Sequence, residues 1–140
     1  MINYIKALII MLKAHWKQRD KGNHLYIFHP IRVSRKCKSK SAKLVALLHD
    51  VIEDNPNYRI EDFTFLKEEE KKALALLTHN KDIAYFDYIN EVKSNKIARE
   101  VKLSDLKDNS NLNRLLIVTD KDIKRLEKYK LAENILLSEQ

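Results

Sequence analysis

The sequence predicts an all-α fold, and three observations lead to this prediction. A chain of 140 residues with one glycine and two prolines has almost none of the tight turns that join β-hairpins. Its composition, 44% hydrophobic and 34% charged, is typical of a folded protein with a real core. Apolar residues also recur at helical spacing, in one stripe of Ile5, Leu8, Ile9, Leu12 and Trp16 and in another of Ala98, Val101 and Leu112. We therefore predict helices joined by short loops.

Local signals place the helices in chain order. The first is predicted over about residues 3–19 and ends in the polar segment Asp20–Asn23. The second begins near Pro30, whose fixed φ suits a first helical turn. The third starts from Ser41 as its N-cap and ends at Asn55-Pro56-Asn57. The remaining helices are predicted at Glu61–Leu66, Glu68–Thr78, Tyr85–Val92, Asn95–Asn109 and Asp120–Leu137.

Residues 1–140 are predicted to form one domain, because a chain of this length can bury roughly two-thirds of its unfolded surface in a single core. The longest early apolar run, Ala7–Leu12, is far shorter than the ~20 residues of a spanning helix, and no small-residue cleavage site follows it. We therefore expect a cytoplasmic protein. Cys37 is the only cysteine, which excludes an intrachain disulfide and a cysteine-based zinc site, and its basic surroundings predict a surface thiol.

The charge balance favours an anionic partner. Lysine and arginine outnumber aspartate and glutamate by 27 to 20, which gives a formal charge of +7. The basic residues are spread along the chain, however, and do not form a clustered basic helix with interleaved aromatic residues. This spread argues against a nucleic-acid reader, and the charge by itself favours only a polyanionic partner such as a nucleotide.

Four ionisable residues crowd the end of the apolar third helix. His49 and Asp50 follow a run of mostly apolar residues, and Glu53 and Asp54 come one turn later. At 3.6 residues per turn, His49 shares a face with Glu53, and Asp50 shares one with Asp54. Burying a carboxylate in such a setting costs several kcal/mol unless it is paired, hydrogen-bonded or bound to a metal.

Asp105 would also be a costly carboxylate to bury, because it lies on an apolar helical stripe with Asn109 one turn beyond it. Its basic neighbours Lys102 and Lys107 are predicted to project to other faces, so that a metal ion is a plausible partner. His29, directly before Pro30, adds a second imidazole. Two imidazoles and two carboxylates suit Mn²⁺, Fe²⁺, Co²⁺ or Zn²⁺ with open coordination positions, rather than a closed structural zinc site.

A lone His or Asp on a helix is usually exposed or hydrogen-bonded. The ordered combination of His-Pro, His-Asp-x-x-Glu-Asp and a late Asp with Asn four residues on is what indicates a site. These motifs lie in the segments His15–Gln18, Asp20-Lys21, Tyr26–Val33, Ala46–Asp54, Leu77–Lys81 and Val101–Asn109. Together the segments resemble the HD-domain hydrolases related to the hydrolase half of the Rel/SpoT alarmone enzymes, and in particular the compact bacterial small alarmone hydrolases.

The resemblance implies an all-α HD-domain helical bundle with one divalent metal, typically Mn²⁺, bound by His29, His49, Asp50 and Asp105. It also implies that Glu53 and Asp54 position or activate the attacking water. Lys21 and Asn109 match positions that contact the nucleotide in those enzymes. The implied reaction is metal-dependent removal of pyrophosphate from the 3′ position of guanosine tetra- or pentaphosphate, (p)ppGpp.

Two alternatives stay open. The alarmone hydrolases have an arginine, available to stack on the base, where this chain has Asp20, and this departure favours an HD phosphatase acting on a nucleoside phosphate or an NADPH-type substrate. The third interpretation is a non-catalytic module that keeps the fold and binds nucleotide or metal. The intact Glu53-Asp54 pair argues against it, because a binder has no evident need for both acids. For His15 and His79, hydrogen bonding is the expected role.

Overall fold

The computed structural model describes residues 1–139, and over these residues the chain contains helices and no β-strand, which confirms the all-α prediction. The helices are α1 (Ile2–His15), α2 (Phe28–Lys36), α3 (Lys40–Leu48), α4 (Val51–Asp54), α5 (Glu68–Leu77), α6 (Tyr85–Lys93), α7 (Lys96–Asn109) and α8 (Asp120–Leu137). Single 3₁₀ turns lie at Ile60–Asp62 and Leu112–Arg114. Gln140, the last residue of the predicted domain, lies outside the described residues.

Helix α3 is the centre of the bundle, because α1, α2, α5 and α7 all pack against it. Its residues 42 and 44–48 are buried, as a helix surrounded on all sides requires. The N-cap of α3 is Ser39, whose Oγ accepts a hydrogen bond from the backbone N–H of Ala42 at 3.1 Å. The predicted cap, Ser41, is wrong, since its hydroxyl donates instead to Glu70 of α5 at 2.7 Å.

The predicted third helix is interrupted at its functional end. The α-helix stops at Leu48, His49 and Asp50 form a turn, and α4 resumes at Val51 for four residues. Asp50 has φ −105° and ψ −2°, outside ideal helical geometry. The break changes the directions of the His49 and Asp50 side chains from those in a regular helix, and both side chains reach the same site.

Helix α1 buries a different face from the one that its apolar stripe predicts. Ala7, Met11 and His15 are fully buried, whereas Ile5, Ile9 and Trp16 are 48%, 46% and 64% exposed. An alanine and a histidine contribute little to a pattern of large apolar residues, so the pattern does not mark Ala7 and His15 as buried. Leu8 and Leu12, the other two residues of the predicted stripe, are partly buried and pack against the core, so the stripe is wrong for Ile5, Ile9 and Trp16 only.

Two further predictions need correction. The helix predicted at Glu61–Leu66 is only a 3₁₀ turn, and Phe63 and Leu66 anchor the segment by burial. The thiol of Cys37 is buried, not exposed; its Sγ lies 3.3 Å from the carbonyl oxygen of Val33, and burial raises its pKa to about 11. The predicted limits of α5 to α8 agree with the structure to within one residue. No helix within residues 1–139 has the length and apolar character needed to cross a bilayer.

Candidate metal centre

Four side chains from three parts of the bundle meet beside the break between α3 and α4. His29 comes from the first turn of α2, His49 and Asp50 from the break itself, and Asp105 from α7. One potential ligand atom from each lies within 4.8 Å of all the others. The structure therefore brings together the four residues that the sequence singled out as ligands.

The closest approaches in this cluster join imidazole nitrogens to carboxylate oxygens. His29 Nε2 lies 2.9 Å from Asp105 Oδ1 and 3.8 Å from Asp50 Oδ2. His49 Nε2 lies 3.1 Å from Asp50 Oδ2 and 3.3 Å from Asp105 Oδ1. All but Asp50 are buried. Two nitrogens and two carboxylate oxygens around one point form a donor set suited to a divalent transition metal.

The hydrogen bond on the far side of the His49 ring shows why a cation fits. Nδ1 donates to the carbonyl of Ala46 at 2.5 Å, which leaves Nε2 as the nitrogen with the free lone pair. Nε2 is buried and has no hydrogen-bond partner among the described residues, although two carboxylate oxygens face it. A lone pair directed at two anionic oxygens is unfavourable unless a proton or a metal ion lies between them, so the residues fit a metal.

The same crowding shifts the pKa values of the cluster. Burial alone would lower the pKa of His49, but the negative charges of Asp50 and Asp105 outweigh it and raise that pKa well above its usual value. Burial alone would raise the pKa of Asp50, but the His49 imidazole outweighs it and holds that pKa at about 2. The acids are thus ionised at neutral pH, and a bound metal ion would take the place of the proton that the raised pKa keeps on His49 Nε2.

Lys102 is part of the centre, and the prediction that it projects to another face is wrong. Its Nζ donates to Asp105 Oδ2 at 2.9 Å, because residues three apart on a helix are neighbours and the long lysine stem can reach along the surface. Burial alone would raise the pKa of Asp105, but Lys102 and both imidazoles outweigh it and hold that pKa well below its usual value. Asn109 also donates to Asp105 Oδ1 at 3.0 Å.

Asp108 is a site residue that the sequence analysis missed. It is 2% exposed, and its Oδ2 accepts a hydrogen bond from His29 Nδ1 at 2.6 Å. Arg32 donates to both oxygens of Asp108 at 2.8 and 3.0 Å, and Arg114 donates to its backbone carbonyl at 2.8 Å. With Nδ1 as the donor, His29 presents Nε2 to the cluster. Asp108 could have been found from its position three residues after Asp105, because this spacing makes the two acids neighbours on a helix.

Tyr26 is a second contact that the sequence did not single out as a site residue. Its hydroxyl donates to Asp50 Oδ2, and its ring lies between the rings of His15 and His29, with centroids 4.9 and 5.4 Å away. His15 Nδ1 is 2.7 Å from the Gln18 amide oxygen, in agreement with the hydrogen-bonding role expected for this histidine. Tyr26 thus orients one ligand from outside the cluster.

The structure places Glu53 and Asp54 in different surroundings. Glu53 accepts a hydrogen bond from the backbone N–H of His79 and lines a cavity together with His49 and Asp50. Asp54 accepts from the Gln18 side chain at 3.0 Å and lies 4.0 Å from His15 Nδ1. Partial burial raises the pKa of Glu53 above its usual value, with a smaller contribution from Asp50 in the same direction.

Two cavities adjoin the cluster and share Asn109 and Tyr129 in their walls. The inner cavity, of about 320 Å³, is lined by His49, Asp50, Glu53, Leu77, His79, Tyr85, Tyr88, Lys102 and Lys128 besides the shared pair. The outer cavity, of about 260 Å³, has walls that include Asp20, Lys21, Gly22, Arg114, Asp122 and Arg125. Lys21 and Asn109, both expected to contact a nucleotide, thus lie on the same cavity.

The outer cavity is lined by three basic side chains, Lys21, Arg114 and Arg125, and by two acidic ones, Asp20 and Asp122. Burial and the nearby Arg125 lower the pKa of Lys21, while Asp122 opposes them. Asp122 also forms an ion pair with Arg125 at 2.9 Å, so its negative charge is shared between Arg125 and Lys21. Asp20 is held in its loop, where its Oδ1 accepts from the backbone N–H groups of Gly22 and His24, each at 2.9 Å.

No family model matches the sequence, and no curated protein matches it. Among solved structures, the fold is similar to that of a metazoan ortholog of SpoT, a protein described as hydrolysing ppGpp and playing a role in starvation responses. The TM-score is 0.76 at 20% identity, and the alignment covers 99% of this chain and 87% of the other. At this identity the likeness is one of fold, and this chain has the all-α HD-domain fold that its motifs predicted.

Proposed function

We propose that this chain is an HD-type metal-dependent phosphohydrolase acting on a phosphorylated nucleotide, with (p)ppGpp 3′-pyrophosphohydrolysis as its leading activity. One observation carries the proposal. Four ligand atoms lie within 4.8 Å of one another, and one of them, His49 Nε2, is buried without a hydrogen-bond partner in the described chain. A buried cluster of this kind serves no evident packing purpose, and its donor set matches a hydrolytic metal.

His29, His49, Asp50 and Asp105 would hold the ion, which we propose to be Mn²⁺ in line with the family resemblance. A divalent ion in this position would supply Lewis-acid stabilisation of the charge on the phosphoryl oxygens. Asp108 and Tyr26 would keep two of these side chains oriented, through the contacts with His29 and Asp50 respectively.

Glu53 is the proposed general base. Its Oε1 is occupied by the His79 N–H, and the side chain lines the inner cavity beside Asp50. The other carboxylate oxygen can hold a water molecule and accept its proton, and the raised pKa makes the carboxylate a better proton acceptor. For Asp54, the contacts with Gln18 and the proximity of His15 support a positioning role.

The two cavities provide complementary charge for a substrate with several phosphates. On the inner cavity, Lys102 and Lys128 supply positive charge, and the buried hydroxyl of Tyr85 has no hydrogen-bond partner within residues 1–139. On the outer cavity, we propose that Lys21 and Asn109 bind the remainder of the nucleotide. Cationic and hydroxyl donors of this kind bind phosphoryl oxygens and stabilise charge during the reaction.

One observation favours a second candidate, an HD phosphatase without alarmone specificity. Asp20 lies on the outer cavity and is fixed there by two backbone N–H groups. A carboxylate cannot stack on guanine as an arginine does, and it repels phosphate. Nucleoside phosphates or NADPH-type substrates therefore belong in the same test.

The test is a substrate panel with purified protein, offered ppGpp, NADPH and simple nucleoside phosphates with Mn²⁺ and, separately, with EDTA. Release of pyrophosphate from ppGpp alone supports the leading proposal, and release of phosphate from the other substrates supports the second. Binding of a nucleotide without turnover by the Mn²⁺-loaded protein would contradict both and leave a non-catalytic binding module.

A further inference from the structure

The outer face of α1 carries an apolar strip that the proposed site does not use. Ile2, Ile5, Ile9 and Trp16 are 66%, 48%, 46% and 64% exposed. We call these four residues the α1 outer strip. Single exposed apolar residues are ordinary on a protein surface, but four aligned on one helix form a contiguous patch.

Helical geometry places the four residues together. At about 100° per residue they fall within an arc of about 60°, on the side opposite the buried Ala7 and Met11. Trp16, just past the end of α1, keeps right-handed helical φ and ψ, so it continues the strip. With a rise of about 1.5 Å per residue, the strip is about 20 Å long.

The charged residues of the segment that carries the strip are all basic. Lys6, Lys13 and Lys17 are exposed; Lys6 and Lys13 lie along one side of the arc, and Lys17 follows Trp16 just beyond the end of α1. Residues 1–19 contain no aspartate or glutamate, and the first acid of the chain is Asp20. A partner for this face must therefore be apolar at its centre and negatively charged beside it.

We propose that the α1 outer strip docks on the surface of an anionic lipid bilayer, with α1 lying in the plane of the headgroups. An amphipathic helix with large apolar side chains on one face and lysines beside them is the usual form of an interfacial helix. Isoleucine inserts at the boundary of the acyl chains, tryptophan favours the interface, and each lysine near an anionic surface adds to the attraction. The helix is too short to span the bilayer, so it binds at the interface.

The charges favour a lipid surface over a second copy of this chain. Antiparallel pairing of two α1 helices through the strip would bring the lysine rows Lys6, Lys13 and Lys17 of both copies together, and α1 has no acid to compensate them. Each copy also carries a formal charge of +7, which adds repulsion. An anionic membrane reverses both effects, because it attracts the lysines and accepts the apolar side chains.

Trp16 is the only tryptophan, so its fluorescence reports directly on the strip. The full chain is mixed with vesicles of phosphatidylcholine alone or with added phosphatidylserine, and binding is followed by co-sedimentation and by the emission maximum. We expect a blue shift and co-sedimentation only with phosphatidylserine, both reversed at ~1 M salt, where the Debye length falls to ~3 Å. Lipids brominated on the acyl chains should quench the emission.

Two variants with substitutions at exposed positions test whether the isoleucines of the strip and the neighbouring lysines bind the vesicles. Ile5→Ser with Ile9→Ser, and separately Lys6→Gln with Lys13→Gln and Lys17→Gln, are each expected to weaken vesicle binding at least about tenfold. The matched controls are Leu131→Ser, an exposed leucine of α8, and Lys72→Gln with Lys96→Gln and Lys124→Gln, which removes the same charge elsewhere. Both controls should bind like the unmodified chain, and circular dichroism verifies the fold of every variant.

Several outcomes would overturn the proposal. These are equal binding to both vesicle types, absence of binding to either, or equal loss of binding in the α1 variants and their controls. A blue shift that grows with protein concentration in vesicle-free buffer, together with a doubled mass in sedimentation, would assign the strip to a second copy instead.

Discussion

At the level of single residues, His49 shows how one backbone contact defines a candidate ligand. The Ala46 carbonyl accepts a hydrogen bond from Nδ1, so Nε2 is the ring nitrogen that faces Asp50 and Asp105. The contact exists because α3 stops at Leu48 and lets the ring fold back on the preceding turn. An uninterrupted helix would carry His49 and Asp50 about 100° apart, so that their side chains would diverge.

Asp105 is the residue whose removal tests the metal centre most directly. The variant Asp105→Asn keeps the size of the side chain but loses the charge that balances Lys102 and attracts a cation. We expect turnover with Mn²⁺ to fall by at least about 100-fold and metal binding to weaken in calorimetry. Asp87→Asn, an exposed acid on α6, is the control and should leave both unchanged. Full activity in Asp105→Asn would remove Asp105 from the site.

Asp108 acts through His29 and is therefore a positioning residue. Asp108→Asn weakens the charge-assisted contact that fixes the His29 ring, while the size of the side chain is kept. We expect metal affinity to fall by about 10- to 100-fold, the usual effect of losing such an outer contact. Binding is measured by calorimetry at a temperature at which circular dichroism shows the variant folded. Loss of thermal stability with unchanged metal affinity would reduce Asp108 to a structural residue.

At the level of helices, Glu100 connects α7 to the start of α3. Its Oε2 accepts from the backbone N–H groups of Lys38 and Ser39, and its Oε1 accepts from the Ser39 hydroxyl at 2.9 Å. Ser39 is itself the N-cap of α3, so one acid holds the residue that starts the central helix. An anion at this end of a helix is also favoured by the helix dipole.

Glu100 should make stability depend on pH. Burial alone would raise its pKa, but the N–H donors of Lys38 and Ser39 outweigh it and lower that pKa below its value in the unfolded chain. The folded state therefore binds fewer protons, and the stabilisation is present above pH ~4.3 and lost as pH falls through the folded pKa. We expect Glu100→Gln to cost at most about 1 kcal/mol at neutral pH, because solvent screens a partly exposed group.

The measurement for Glu100 is urea unfolding of both proteins between neutral and acid pH. The difference in free energy of unfolding should shrink as the pH falls below ~4. Glu91→Gln, an exposed acid of α6, should show no difference at any pH. A difference for Glu100→Gln that persists unchanged at low pH would mean that the carboxylate charge has no part in the contact.

At the level of the whole molecule, the candidate site was more predictable than the face of the first helix. The four candidate ligands stand in short motifs whose ordered combination indicates a site, and the structure brings the four side chains together. The partners of Asp108 could not be predicted, because Arg32 lies 76 residues away in sequence and is brought close only by the packing of α2 against α7. The prediction for Lys102 was wrong although Lys102 stands three residues before Asp105, a spacing that makes the two side chains neighbours on a helix.

Helix limits in the second half were predictable for a local reason, whereas the first half depended on tertiary contacts. Thr119 and Asn95 cap α8 and α7 with side chains three residues from their N–H partners, a signal contained in adjacent residues. By contrast, α1 ends early because the loop at 16–27 folds back, with Tyr26 N–H donating to the Gln18 carbonyl at 2.9 Å. No pattern in adjacent residues predicts that this loop folds back.

Gly22 packs the loop at 16–27 against the 3₁₀ turn at Leu112–Arg114, beside the outer cavity, so its substitution tests the contact between these two distant segments. A Cβ at this position would lie 2.1 Å from the backbone carbonyl oxygen of Arg114, and backbone cannot yield as a flexible side chain does. Gly22→Ala must therefore push the loop away from the 3₁₀ turn, at a cost of about 1–3 kcal/mol in the free energy of unfolding. Lys21 moves with it, away from the cavity that it lines with Arg114.

For the substrate that the panel identifies, we expect Gly22→Ala to raise KM about fivefold or more and to lower kcat less, because the change is at the outer cavity, the proposed nucleotide site, while the candidate metal ligands stay in place. Asn23→Gly is the matched control. Asn23 already has a positive φ of 63°, which glycine adopts freely, so its stability should change by less than about 1 kcal/mol and its KM should stay the same. Equal KM values for Gly22→Ala and the unmodified chain would show that the loop does not contribute to nucleotide binding, and the outer cavity would lose its proposed role.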